Sequence, residues 1–318
     1  MKIFVAGATG VIGRRLVPLL VEGGHDVVGM SRSSERAGSL EGYGARGVVA
    51  DVFDNEHLRR LLADEKPEIV IHELTDIPHE LEPGHTVEQF AANRRMRVEG
   101  TRNLVEAARA AGTRRLIAQS YAHVYAPRGS WVKAVWEDMD LGPDVPDSRQ
   151  LNVLAVRELE RLVLQTPGIE GVALRYGTFY GPGSAFDEGG TVNTLVRRRH
   201  YPIAGSGAGT TSFVHVDDAA AATVLALDGP AGVFNICDDQ PTALKEWLPL
   251  YARLIGAPPP KHIPALAERV LRSEHLAYRS TMQRGATNSK ARAQLGFAPA
   301  RVSWRDGLRG EFARAAVA

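Results

Sequence analysis

Cysteine is nearly absent: Cys237 is the only one in 318 residues. A single cysteine excludes an internal disulfide and any metal site built on thiolates. It sits in the apolar run VFNICDD, where a thiol reads as a small buried residue. An excess of one charge is also lacking. The 38 Lys and Arg balance 37 Asp and Glu to a net +1, which gives no general attraction to nucleic acid or to an anionic membrane. The tightest basic run, Arg197-Arg198-Arg199-His200, reads as a solvated helix end. No apolar run approaches the roughly 20 residues that span a bilayer. MKIFVAGATG enters a strand directly, without a charged-then-apolar leader. The histidines show no ligand spacing: His72, His79 and His85 are interrupted by Pro78 and Pro83, so no metal is expected. These absences predict a cytoplasmic protein that handles a small molecule and binds neither nucleic acid nor membrane.

What is present is a rhythm. Short apolar runs at Lys2–Ala6, Asp26–Met30, Gly47–Ala50, Glu68–His72, Arg115–Gln119 and Gly171–Arg175 lack strict alternation, as do strands of a parallel sheet covered on both faces. Helical patterns fall between them, among them Val11–Glu22, with Pro18 read as a kink, and the long Val87–Ala111. Strand–helix alternation predicts an α/β fold with a doubly wound parallel sheet. After Arg175 the pattern loosens into glycine-rich loop and later a proline connector, GAPPPKHIP. The expected division is a dinucleotide-binding domain over residues 1–176, with 213–238 returning to it. A smaller C-terminal substrate lobe takes 177–212 and 239–318.

Gly7, Gly10 and Gly13 lie between the first strand and the first helix. Glycines there permit a tight turn, close backbone approach to a pyrophosphate and close helix–strand packing, at a helix end rich in unpaired N–H donors. Their spacing, with Ala8-Thr9, resembles the extended short-chain dehydrogenase/reductase superfamily, the epimerase- and dehydratase-like branch with a Rossmann sheet. Further landmarks follow in order: Asp51-Val52, VIHELT (70–75), NRRMRVEGTRNLVEAARAAG (93–112), LRYGTFYGPG (174–183), FVHVDDAAAA (213–222) and NSKARAQLGFAP (288–299). The resemblance implies cofactor contacts at Gly7, Thr9, Gly10, Val11, Ile12, Gly13, Asp51, Val52, Leu74, Thr75, Tyr176 and Thr178, with Asn93 opening a long helix. It also implies a homodimer joined through 87–111 and 149–165.

The end of the second strand bears on cofactor choice. NAD-binding members place a carboxylate there for the ribose hydroxyls. This chain has Ser31-Arg32, with Arg36 one turn on. A guanidinium pairs with a 2′-phosphate or stacks on adenine, so NADP(H) is expected ahead of NAD(H).

The catalytic half departs from the family. Members carry Tyr-x-x-x-Lys on the helix after the fifth strand, to exchange a proton with the substrate oxygen. Here that helix reads SRQLNVLAVRELERLVLQ (148–165), with no Tyr and no Lys. Anchored on Glu160, Asn152 occupies the Tyr position and Val156 the Lys position; a frame shifted by two gives Gln150 and Leu154. The strand end is rewritten too. In QSYAHVYAP, Ser120 is kept, Tyr121 stands where the family has its hydroxyl residue, and Tyr125 is the family's packing Tyr. Tyr121 is a candidate proton donor, assisted by Ser120, against the alternative that it only fills vacated space. His123, Trp131, Trp136 and Tyr180 are candidate substrate contacts, and His215 and Asp217 read as a helix cap. The leading expectation is an atypical NADP(H)-dependent oxidoreductase acting on a small apolar or aromatic carbonyl compound. The alternatives are a non-catalytic NADP(H) sensor and a redox-neutral epimerase- or dehydratase-type enzyme.

Overall fold

The computed structural model describes residues 1–78, 86–136, 139, 146–271 and 274–315. Seven strands form the main sheet: β1 (Lys2–Ala6), β2 (Asp26–Ser31), β3 (Arg46–Val49), β4 (Ile69–His72), β5 (Arg115–Tyr121), β6 (Glu170–Tyr176) and β7 (Gly232–Ile236). All pair in parallel, in the order β7-β6-β5-β4-β1-β2-β3. The order reverses between β1 and β4, and in such sheets ligands bind beyond the carboxyl ends of the strands at that reversal.

The apolar runs become strands because both faces are covered. On one face Ile3, Val5, Ile71 and Leu174 pack against Leu16 and Leu20 of α1 (Gly13–Glu22). On the other, Phe4, Val70 and Leu116 meet Leu58 and Leu62 of α2 (Asn55–Glu65) and Leu104 of α3 (Thr101–Ala110). Leu159 and Val163 of α4 (Asp147–Leu164) complete that layer. Helix α1 runs unbroken through Pro18. The long helix expected over 87–111 is composite: a helix over Ala91–Arg95, a π turn over Met96–Gly100, then α3.

Helix α5 (Val216–Leu225) packs on the α1 side of the sheet and leads into β7. A second core of aromatics lies beyond it. Phe186, Phe213, Trp247 and Tyr251 of α6 (Leu244–Leu254), and Trp304, meet largely edge to face, a favoured geometry for aromatic rings. Among the described residues, no helix is long and apolar enough to cross a membrane, and no three His, Cys, Asp or Glu side chains converge as a metal site would require. His79 and His85 lie outside the described residues.

Candidate active site

The turn after β1 is built on close backbone approach. Gly7 has φ +93°, and a Cβ there would lie 2.7 Å from the carbonyl of Glu73. One on Gly13 would lie 2.3 Å from the Gly7 oxygen. The N-terminus of α1 has no side-chain cap and no acidic residue in its first turn; Arg14 N and Arg15 N bond to the Gly10 and Ile12 carbonyls, which leaves the N–H groups of Val11, Ile12 and Gly13 available to an anion. This arrangement fits a dinucleotide pyrophosphate. Thr9 Oγ1 lies 3.5 Å from Ser31 Oγ, and Ile12 is buried in the core. Arg15 fastens the turn to the rest of the site: its Nε meets Asp217 Oδ1 at 3.0 Å, and Nη2 donates to the Pro182 carbonyl at 2.7 Å. Nη1 donates to the carbonyl of Val11. His215 is the cap of α5, accepting from Asp217 N at Nδ1.

The adenine side is more open. Arg32 and Arg36 are exposed, and Asp51 is exposed with Oδ1 accepting from Phe53 N. Val52 is buried against Met96 and Gly100. After β4, Leu74 and Thr75 are half-buried, and Asn93 accepts from Asp76 N at 3.0 Å, tying the helix to that loop. Neighbouring Glu73, unremarked in the sequence, is buried, and one of its oxygens has no partner. The other accepts from Tyr176 OH at 3.1 Å, and Tyr176 shares a 2.5 Å hydrogen bond with Thr223. Burial raises the Glu73 pKa to about 8, only partly offset by the tyrosine bond. His72, bonded to Thr101, is pushed down to about 4, first by burial and then by Arg97.

At the end of β5 the two hydroxyl residues part company. Ser120 Oγ donates to Glu160 Oε1 at 2.6 Å, inside a buried network. Arg175 grips Glu160 with two bonds of 2.7 and 2.8 Å and reaches Tyr125 OH, which donates to Asn235. A forked, charge-assisted pair of this kind holds β5, β6 and α4 together. The Tyr121 hydroxyl, by contrast, makes no hydrogen bond among the described residues. The Tyr121 ring rests on Val124, Val153 and Val156, two of them on the helix that lacks the Tyr and Lys. His123 stands edge-on to that ring at 5.2 Å, with Nε2 3.1 Å from Thr178 Oγ1. It is fully buried, and burial, then Arg279, pushes its pKa down to about 3, so it is neutral.

Asn152, at the vacated Tyr position, is half-buried and accepts from Arg94 at 3.4 Å. Arg97 was not singled out in the sequence. Its guanidinium carbon lies 5.9 Å from the centroid of the Tyr121 ring, presented by the π turn; such turns recur at functional sites. Trp131 is stacked under Arg284 at 3.8 Å, while Trp136 is 75% exposed. Tyr180 is fully buried in the aromatic core with an unpartnered hydroxyl. The site therefore draws together Tyr121, His123, Thr178 and Arg97, and leaves Ser120, Trp136 and Tyr180 elsewhere.

Residues 3–237 match the family model described as the NAD dependent epimerase/dehydratase family. Over 311 residues the chain is 45% identical to a 3-diazoavenalumate denitrifying reductase of a Streptomyces species, covering 97% of this chain and 99% of that one. It is 31% identical to a UDP-glucose 4-epimerase of Mycolicibacterium smegmatis, covering 97% and 96%. Among solved structures, the UDP-glucose 4-epimerase of Thermus thermophilus complexed with NAD superposes with a TM-score of 0.72 at 22% identity, over 98% of each chain. The expectation of NADP(H) is corrected here: that structure and the other similar ones described with a bound dinucleotide hold NAD. The physical reason lies in Arg32 and Arg36. Both are exposed, and a guanidinium there stacks on the adenine of either dinucleotide without selecting a 2′-phosphate.

Proposed function

The chain belongs to the NAD dependent epimerase/dehydratase family, and from that premise we propose that it is an NAD(H)-dependent reductase of a small electrophilic aromatic compound bearing a diazo group. The observation that carries this reading is the pairing of Asn152 and Val156 on α4 with a Tyr121 hydroxyl left unbonded. A carbonyl taking up a hydride becomes an alkoxide that needs a proton, and losing general-acid help typically costs about two to four orders of magnitude. An aryl diazo group has no such need. A reduced nicotinamide held there would supply a hydride: on an aryl diazo acceptor a ring C–H bond would replace the C–N bond, whose electron pair would leave with N2, with NAD+ as the other product. The 45%-identical relative, a denitrifying reductase of a diazo compound, supports this class of acceptor.

The chain's own residues then bind and orient. Gly7, Gly10 and Gly13, with the backbone of Val11 and Ile12, take the pyrophosphate. Thr9, Ser31, Arg32, Asp51 and Val52 flank the adenosine, and Leu74, Thr75, Tyr176 and Thr178 line the nicotinamide side. Tyr121 hydrogen bonds to a polar substituent of the substrate ring, and His123, neutral, closes the wall beside it. A homodimer joined along α4, where Leu151 and Leu154 are exposed, accompanies this reading.

The UDP-glucose 4-epimerases among the relatives favour a second reading, a redox-neutral epimerase or dehydratase. Such a cycle removes a proton and returns it, and α4 holds Asn152 and Val156 where the family has the Tyr and Lys that do so. One assay separates the two. The full chain with NADH is given an ortho-quinone diazide, a panel of ketones and enones and, with NAD+, UDP-glucose. Cofactor absorbance and N2 release are followed. NADH oxidation with stoichiometric N2 is expected. Conversion of UDP-glucose, with the diazide untouched, would overturn the reductase reading, and tight NADH binding with no turnover of anything points to a sensor.

A further inference from the structure

Helix α7 (Glu274–Thr281) belongs to the C-terminal lobe and is pinned to the Ile203–Ala204 strand by Ser280, whose Oγ donates to the Ala204 carbonyl and accepts from Ala204 N, each at 2.8 Å. His275 and Arg279 are four residues apart on it and share a face. Both carry a buried, unpartnered nitrogen: Nδ1 of His275 and Nε of Arg279. Tyr278 on the same helix lies under the Arg149 guanidinium at 4.6 Å, and Arg149 Nη2 donates to the His123 carbonyl at 2.6 Å, so α7 sits beside the end of β5, with Arg279 coupled to Tyr121 and His123. From the other wall, Arg97 approaches the same Tyr121 ring.

Among the described residues these charges are not balanced. No carboxylate among the described residues pairs with Arg279 or Arg97. The nearby Glu160 has both oxygens engaged by Ser120 and Arg175. Guanidinium groups withdrawn from water without a counter-ion are costly, and a bound anion offsets that cost. The dinucleotide's phosphates have their own place at the uncapped start of α1. An anion carried by the substrate meets this need, alongside a ring that fits the aromatic wall of Tyr121 and His123.

We propose that Arg279, with His275 beside it and Arg97 across the cleft, forms a carboxylate-binding subsite, so that the enzyme takes aromatic acids in preference to their neutral analogues. The inference rests on the reductase reading for the ring placed against Tyr121, and it names the substrate class of that site. Arg is suited to the task because its fork meets a carboxylate with two parallel bonds.

The test is calorimetry on the full chain loaded with NAD+, using 4-hydroxycinnamate and 4-hydroxycinnamamide as probes. The acid is expected to bind tighter than the amide by about tenfold or more, as charge-assisted hydrogen bonds allow. Arg279→Met should bring the acid to within about threefold of the amide while leaving the amide and NAD+ unchanged, and Arg279→Lys should recover part of the preference. Equal affinity for acid and amide in the unmodified chain overturns the proposal, and that comparison decides even where a variant fails to fold. So does an Arg279→Met loss shared equally by both probes, the mark of a structural role. A third overturning result is loss of UDP-glucose binding with 4-hydroxycinnamate untouched, which assigns Arg279 to a diphosphate. Turnover of the ortho-quinone diazide is scored separately: acid preference without turnover sinks the reductase reading alone, and turnover without acid preference sinks the subsite alone.

Discussion

The turn after β1 and the turn after β5 open on the same edge of one sheet, yet they are built from different kinds of constraint. The first is fixed by backbone meeting backbone: added atoms on Gly7 or Gly13 would fall 2.3–2.7 Å from main-chain atoms that cannot move aside. The second is fixed by side chains filling a volume, with the Tyr121 ring lying on Val153 and Val156. A volume can be refilled by many combinations, whereas a main-chain contact admits only glycine. Side chains can therefore be exchanged at β5 without disturbing the glycine turn after β1.

Four substitutions probe that contrast, from the largest expected effect to the smallest. Gly7→Ala forces both a positive φ and a clash, strain of about 1–3 kcal/mol or more, and NADH affinity measured by calorimetry should fall by roughly 100-fold. A loss under about threefold would break the assignment of the turn to the cofactor. Glu73→Gln acts on stability through pH. The native carboxyl, with its pKa near 8, keeps a proton that the unfolded chain releases above its ordinary 4.5. Its contribution is present below pH 4.5 and is lost as pH rises through 8. The unfolding free energy of the variant, from chemical denaturation, should thus gain on that of the parent from pH 5 to 9, by on the order of 4 kcal/mol. Buried neutral His72 and His123 act on the other limb, since unfolding lets them take up protons below pH 6.5. Both proteins should lose stability together there; parallel curves at high pH would contradict the burial of Glu73.

Ser120→Ala leaves Glu160 with one bond fewer in a buried network and should cost about 1–2 kcal/mol in chemical denaturation, with KM unchanged. A shift in KM at unchanged stability would move Ser120 back to the substrate. Tyr121→Phe is expected to change kcat on a diazo acceptor by less than about tenfold, since no proton is needed as the C–N bond breaks, and to leave ketone turnover as low as in the parent, since the site has no general acid to lose. A ketone rate in the parent that falls by about two to four orders of magnitude in the variant would make Tyr121 an acid and erase the distinction between the two turns.

The sheet was legible because continuous runs such as IFVA and IVIH announce strands buried on both faces. The glycine turn was legible because its spacing is dictated by main-chain contacts. The missing Tyr and Lys were visible as an absence. Arg97 was not, because in NRRMRV it is one of several arginines, and only the π turn over Met96–Gly100 aims it at Tyr121. Glu73 looked like one polar residue in VIHELT until the sheet buried it beside Tyr176. The choice of cofactor misled for a related reason: Arg32 carries the charge a 2′-phosphate wants, but an exposed side chain at a strand end commits to neither dinucleotide.

The edge of the sheet carries a consequence for how the chain is made. β6 ends at Tyr176, but its outer neighbour β7 ends at Ile236, and the threonine that meets the Tyr176 hydroxyl is residue 223. On a ribosome adding about 5–20 residues per second, the strand that closes this edge emerges roughly 3 to 12 seconds after the one it covers. For that interval the nascent chain holds a bare parallel edge and an unfinished floor beneath Glu73. That interval is when a chaperone or an early dinucleotide has most to protect, and when an errant strand has its best chance to pair.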